Sequence, residues 1–272
     1  MDKKGLAIII SQSGETADSL AALREAKKQG VKTLAIVNVI GSSIAREADH
    51  ILYTYAGPEI AVATTKAFST QLIVSYLLAI EMAHIKRKIN INYYNELIME
   101  LLNLPDKTQY ILDNLTKKIQ KLSSKFSNIH DAFYIGRGLD YAISLEGSLK
   151  LKEVSYIHSE AYAAGELKHG TISLIEDNTL VIGIITQEEI QEKTISNLVE
   201  VKSRGGFIVA LSPKEIDVSK VSNLTLNIPS TNKYFYPSLS VIPLQLIGYY
   251  MTVSKGLDVD KPRNLAKSVT VE

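Results

Sequence analysis

The sequence contains no cysteine among its 272 residues. That absence excludes disulfides, cysteine–zinc sites and every thiol nucleophile. An excess of charge of one sign is missing too, because 30 Lys and Arg stand against 29 Asp and Glu, a net charge of +1. With no Arg/Lys-rich tract and no aromatic platform motif, nothing in the chain is suited to a nucleic acid. The opening residues, Met1-Asp2-Lys3-Lys4-Gly5, lack the apolar core of a signal peptide. Two stretches, 70–83 and 239–253, are apolar, but neither reads as a membrane span. The first is too short, and the second carries Pro243, Gln245 and Gly248. Both are expected to be buried core helices, which implies no membrane and a cytoplasmic setting.

What is present is an ordinary globular composition, 46% apolar and 22% charged, in a length sufficient for roughly two domains. Self-comparison divides it. The first part reads as a strand (6–10), a helix (17–28), Gly30, a strand (33–38) and a short strand (51–55), then a loop and the helix 70–83. The same order recurs as 179–185, 188–202, Gly205-Gly206, 207–211, 224–228 and the helix 239–254. Continuous Val/Ile/Leu strands alternating with helices predict two tandem parallel sheets covered by helices. The second copy is preceded by a strand (132–135), a Gly136-Arg137-Gly138 turn and a helix from 141 to about 155. The first copy has no such front, so it is expected to lack its initial strand and helix. Two amphipathic patterns, 93–103 and 106–123, broken at Pro105, predict a helical linker. The domain expectation is therefore 1–90, a linker over 91–128, a second domain over 129–261 and a tail over 262–272.

Three segments carry polar chemistry. Ser11-Gln12-Ser13-Gly14-Glu15-Thr16 lies between a buried strand and a helix. The free amides of a helix's first turn, with hydroxyls beside them, suit a phosphate; equally, Ser13 can be a simple N-cap and Gly14 a turn residue. In the helix 141–155, Glu146, Lys150 and Glu153 share one face. A carboxylate and an amine held at a buried edge can act as base and proton shuttle, or the triplet can be an exposed ladder of ion pairs. The stretch 158–170, with His158, Glu160, Glu166 and His169, shows neither helix nor strand period and is expected to be a functional loop. The C-terminal residues 258–272 read either as a frayed tail or as a segment folded over a site, with Lys267 beside a substrate.

Taken together, Ser11–Thr16 with Ala17-Asp18-Ser19-Leu20, the run from Val62 through Thr64 to Phe68, the block 145–170 and the ending 262–272 resemble one family. It is the isomerase half of glutamine–fructose-6-phosphate aminotransferases, built from two sugar isomerase domains. The resemblance implies an α/β fold of two tandem, three-layer domains and a fructose 6-phosphate or glucosamine 6-phosphate ligand. It implies that Ser11, Gln12, Ser13 and Thr16 hold the phosphate, and that Val62, Thr64 and Ala266 line the sugar site. The family usually has Ser where Thr64 stands. Glu153 is implied as the base between C1 and C2, assisted by Lys150, with His169 opening the ring from a second subunit of a homodimer. Lys267 is implied as the Schiff-base amine, with no metal or organic cofactor. The family's glutaminase domain uses a terminal Cys, which this chain lacks. Alternatives are a non-catalytic sugar-phosphate-binding module, or remnant of a split gene, and a related deaminase or deglycase.

Overall fold

In a computed structural model that describes residues 2–267, the chain forms two compact units. One comprises residues up to Tyr94 together with the segment from Arg263; the other runs from Asn95 to Pro262. In unit 1, β1 (Leu6–Ser11), α1 (Ala17–Lys28), β2 (Lys32–Val37), α2 (Ser43–Glu47) and β3 (His50–Tyr53) are followed by α3 (Lys66–Ile85). The three strands form one parallel sheet in the order β1-β2-β3. Alternation along the strands sends Ile9, Ala35 and Val37 toward Leu20 and Leu23 of α1 and Ile44 and Ala45 of α2, which together form a core. On the opposite face Leu34 and Ile36 are buried, whereas Leu6, Ile8 and Ile10 of the edge strand are each more than 40% exposed.

The helix expected over 70–83 is 20 residues long, with only Ala67 and Ile80 buried. Its length and composition alone would allow it to cross a membrane. The length argument made above therefore fails, and so does the expectation that this stretch is buried.

The division between the units falls within α4 (Ile91–Leu102). Unit 2 continues through α5 (Leu104–Phe126), β4 (Asp131–Gly136), α6 (Leu139–Ser155), β5 (His158–Ala163), β6 (Leu180–Ile184), α7 (Gln191–Lys202), β7 (Phe207–Pro213), β8 (Leu224–Ile228) and α8 (Tyr236–Ser254). Its sheet is all parallel, in the order β5-β4-β6-β7-β8. Phe133, Ile135, Val181, Ile208 and Ala210 face Leu198 and Val201 of α7. Tyr134, one residue out of phase, faces α6, whose Gly147 lies against it, and Leu244 of α8 packs on the same glycine. Helices thus cover both faces, giving three layers.

Segment 91–128 does not stand apart as a linker. Helix α5 packs along α8 and buries Ile111, Leu115, Ile119, Leu122 and Phe126. Pro105 sits at its first turn, where a missing N–H costs nothing. Segment 158–170 also differs from expectation, since its first half is β5, the edge strand beside β4. Short polar edge strands carry little hydrophobic period, which hid this one.

The repeat is visible in the register. Leu6 lies opposite Lys32, two residues after Gly30, and Leu180 lies opposite Phe207, two residues after Gly205. Both glycines turn the chain at positive φ, +76° and +88°. The second unit has two strands, β5 and β4, on the side of β6 where the described residues place nothing beside β1.

If α5 is core and not spacer, Ile119→Ala should cost about 2–5 kcal/mol in a urea-unfolding measurement of unit 2. A loss below about 0.5 kcal/mol, the range of ordinary surface substitutions, would contradict the assignment.

Candidate functional site

In unit 1 the turn after β1 is held open by its own hydroxyls. Ser11 Oγ accepts from the Gly14 amide at 3.0 Å and lies 3.3 Å from Thr16 Oγ1. Ser13 Oγ accepts from the Glu15 amide at 3.2 Å. The N-cap of α1 is Thr16, not Ser13, and no side chain caps the helix. Among the described residues, no side-chain cap takes up the first-turn amides of α1. Gly14, at φ +69°, brings the loop against α2, where an added Cβ would lie 2.1 Å from Ser42 Oγ. Glu15 crosses to the start of α2 and accepts from the Ser43 amide at 2.8 Å; the Ser43 hydroxyl first, and that amide second, hold its carboxyl below the usual range.

The loop 54–65 follows β3. Asn38, just beyond β2, fixes its start by accepting from Thr54 Oγ1 and the Ala56 amide and donating to the Gly57 carbonyl. Val62 and Thr64 lie in this loop, half-buried. The C-terminal segment reaches the same place, with Lys267 Nζ donating to the Ala61 carbonyl at 2.7 Å and to Glu59 Oε2 at 3.1 Å. Burial alone would raise the Glu59 carboxyl; the Thr65 amide, the Lys267 ammonium and the Ala67 amide more than offset it, so it stays below the ordinary range. The structure thus brings Lys267 and its neighbour Ala266 to the Val62–Thr64 loop. Residues 268–272 of the expected tail lie outside the described residues.

In unit 2, Lys150 is buried on α6 with Glu153 Oε2 at 2.5 Å and Glu146 Oε1 at 3.6 Å. The exposed ion-pair ladder is thereby excluded for Lys150. Burial, and repulsion from Glu153, raise the Glu146 carboxyl, although Lys150 opposes the shift. The shorter approach, 2.5 Å against 3.6 Å, pairs the lysine with Glu153. Three residues after Glu153, Tyr156 at φ +60° ends the helix. His169 lies exposed in the turns after β5, its backbone amide bonded to the Glu166 carbonyl. No hydrogen bond or ion pair joins its ring to the α6 cluster among the described residues.

The turn after β6 holds the place in unit 2 that Ser11–Thr16 holds in unit 1, and it is already filled. Asp140, 4% exposed at the start of α6, accepts from the Thr186 amide at 2.8 Å and from Thr186 Oγ1 at 2.5 Å. Burial raises its carboxyl despite those bonds. An internal carboxylate thus closes the start of this turn. Asp140 and Glu59 are the two residues that pattern reasoning missed. Each gave only a weak signal, an acid directly before the helix 141–155 and a lone acid after Gly57-Pro58.

A parallel α/β unit repeated in tandem, with hydroxyl and carboxylate chemistry at strand and helix ends, defines the class. The model of the SIS domain matches residues 1–81 and 125–255, and the chain belongs to that family. A glutamine–fructose-6-phosphate aminotransferase (isomerizing) of Caldanaerobacter subterraneus subsp. tengcongensis is 58% identical over 273 residues, covering all of this chain and 45% of the relative. The corresponding protein of Methanosarcina acetivorans is 46% identical, with 44% of it covered. The chain thus spans about half the length of the curated relatives it matches. Among solved structures, the C-terminal domain of glucosamine-fructose-6-phosphate aminotransferase from Francisella tularensis superposes with a TM-score of 0.90 at 40% identity. That match covers 94% of this chain and 72% of the other. Glucosamine-6-phosphate deaminase from Thermotoga maritima gives 0.79 at 27% identity, over 99% and 76%.

Two outcomes follow. Asp140→Asn turns one acceptor into a donor that faces Thr186, and should destabilise the protein by about 1–3 kcal/mol in denaturant melts. Glu59, lowered in the folded state, stabilises above its unfolded pKa and loses that contribution as pH falls through the folded value. The Lys267 side-chain NMR signals should therefore stay constant from neutral pH downward and move only below the ordinary carboxylate range.

Proposed function

We propose that this chain is the sugar-phosphate isomerase module of a glucosamine-6-phosphate synthase, converting fructose 6-phosphate to glucosamine 6-phosphate. The observation that carries the reading is the buried Lys150 paired with Glu153 at 2.5 Å, an acid–base couple in the segment by which the chain resembles the aminotransferases. Ser11, Gln12, Ser13 and Thr16 hold the phosphate on the open turn of α1. Val62, Thr64 and Ala266 border the sugar. His169, supplied across a homodimer, opens the ring. The Lys267 amine bonds to the C2 carbonyl carbon of the open-chain ketose; the carbonyl oxygen takes up protons and leaves as water, giving an imine. Ammonia then adds at C2 and releases the lysine. Glu153 removes the proton from C1 and returns it at C2, while Lys150 steadies the charge that develops. No metal or organic cofactor enters these steps. The ammonia comes from a glutaminase domain, since a chain without cysteine has no thiol for that hydrolysis. The setting is soluble and cytoplasmic. The higher identity and TM-score with the aminotransferase domain favour this reading over a deaminase.

The purified chain, given fructose 6-phosphate without ammonia, should form glucose 6-phosphate, and Glu153→Gln should lower that rate by about 10²–10⁴-fold. Thermal stabilisation by fructose 6-phosphate with no product in either protein would instead make it a non-catalytic binding module.

A further inference from the structure

Glu59 has no part in the steps above, yet both of its carboxyl oxygens are committed. Oε1 accepts from the Thr65 amide at 2.8 Å and, at longer range, from Thr65 Oγ1 at 3.4 Å and the Ala67 amide at 3.5 Å. Those groups open α3, whose N-cap residue Thr65 makes no side-chain cap of its own. Glu59 therefore caps α3 from six residues upstream, and the positive end of the helix fixes its negative charge. With Oε1 so used, Oε2 is left facing Lys267 Nζ at 3.1 Å. The Glu59 side chain is 3% exposed, against 29% for the lysine, so the carboxylate is the buried anchor and the more exposed lysine docks onto it. Holding a lysine costs about 2 kcal/mol of rotamer freedom. A preset carboxylate and the Ala61 carbonyl at 2.7 Å together offset that cost.

We propose that Glu59 is the positioning residue for Lys267: it docks the C-terminal ammonium on the loop that carries Val62 and Thr64, where the lysine gives one proton to solvent and then, as the neutral amine, bonds to the carbonyl carbon. This rests on the reading of Lys267 given above. The carboxylate touches neither sugar nor phosphate; it acts through the lysine, and its cap on α3 makes the docking point part of the scaffold. A lysine free to roam would spend most of its time away from the carbonyl.

The test uses the whole chain, fructose 6-phosphate and borohydride, with mass spectrometry locating the reduced adduct. Glu59→Gln keeps a carbonyl oxygen for the Thr65 amide but turns an amide donor toward the ammonium. It should be trapped at Lys267 about tenfold more slowly than the native chain. Its affinity for fructose 6-phosphate, followed by thermal shift, should be unchanged, a split that general loosening would not produce. Should Glu59→Gln fail to fold, Glu59→Asp keeps the charge one methylene shorter and should show an intermediate rate. Trapping of either variant at the native rate overturns the positioning role alone. A native chain with no adduct at Lys267 overturns the Schiff-base reading, and the positioning role falls with it.

Discussion

A carboxylate taken out of water must find donors already fixed in place, and three such matches organise this molecule. Asp140 meets the amide and hydroxyl of Thr186. Glu59 meets the opening of α3 and the Lys267 ammonium. Glu146 and Glu153 share Lys150. An unmatched buried charge would cost several kcal/mol, more than most single contacts return. The positions of these donors are in turn set by where strands end and helices begin, so the sheets dictate the chemistry. Strand β6 delivers Thr186 to α6, and the turn into α3 delivers its amides to Glu59.

Much of this was legible in the sequence, because two signals are strong. Buried parallel strands read as unbroken aliphatic runs, and β1, β2, β6, β7 and β8 lie where such runs are. The recurrence of the pattern, with Gly30 and Gly205 in register, fixed the tandem order. The face shared by Glu146, Lys150 and Glu153 followed from helical spacing alone. Burial of Lys150 did not, since the helix's neighbours decide it.

What escaped has a physical cause in each case. Strand β5, His158–Ala163, alternates too little to announce itself at a sheet edge. The α5 helix looked like a spacer because its amphipathic stripe shows only that something covers it, not that α8 does. The lengths of α3 and α8 were underestimated at their N-terminal ends, where Lys66, Pro237 and polar residues interrupt the apolar period. Glu59 and Asp140 act through contacts formed across turns, and no local pattern encodes a turn's far side.

The two sheets differ in how they can come apart. In unit 2, β6 is hydrogen-bonded on both sides, by β4 and β7, and every residue of it is buried. In unit 1, among the described residues, the corresponding β1 pairs with β2 alone and shows Leu6, Ile8 and Ile10 to solvent. Among the described residues, opening β1 breaks one ladder and wets little new apolar surface, whereas opening β6 breaks two and wets a full core, so β1 is the cheaper of these two strands to open. The hydroxyl-rich turn hangs from the strand with the single ladder, and a ligand bound there would tighten it.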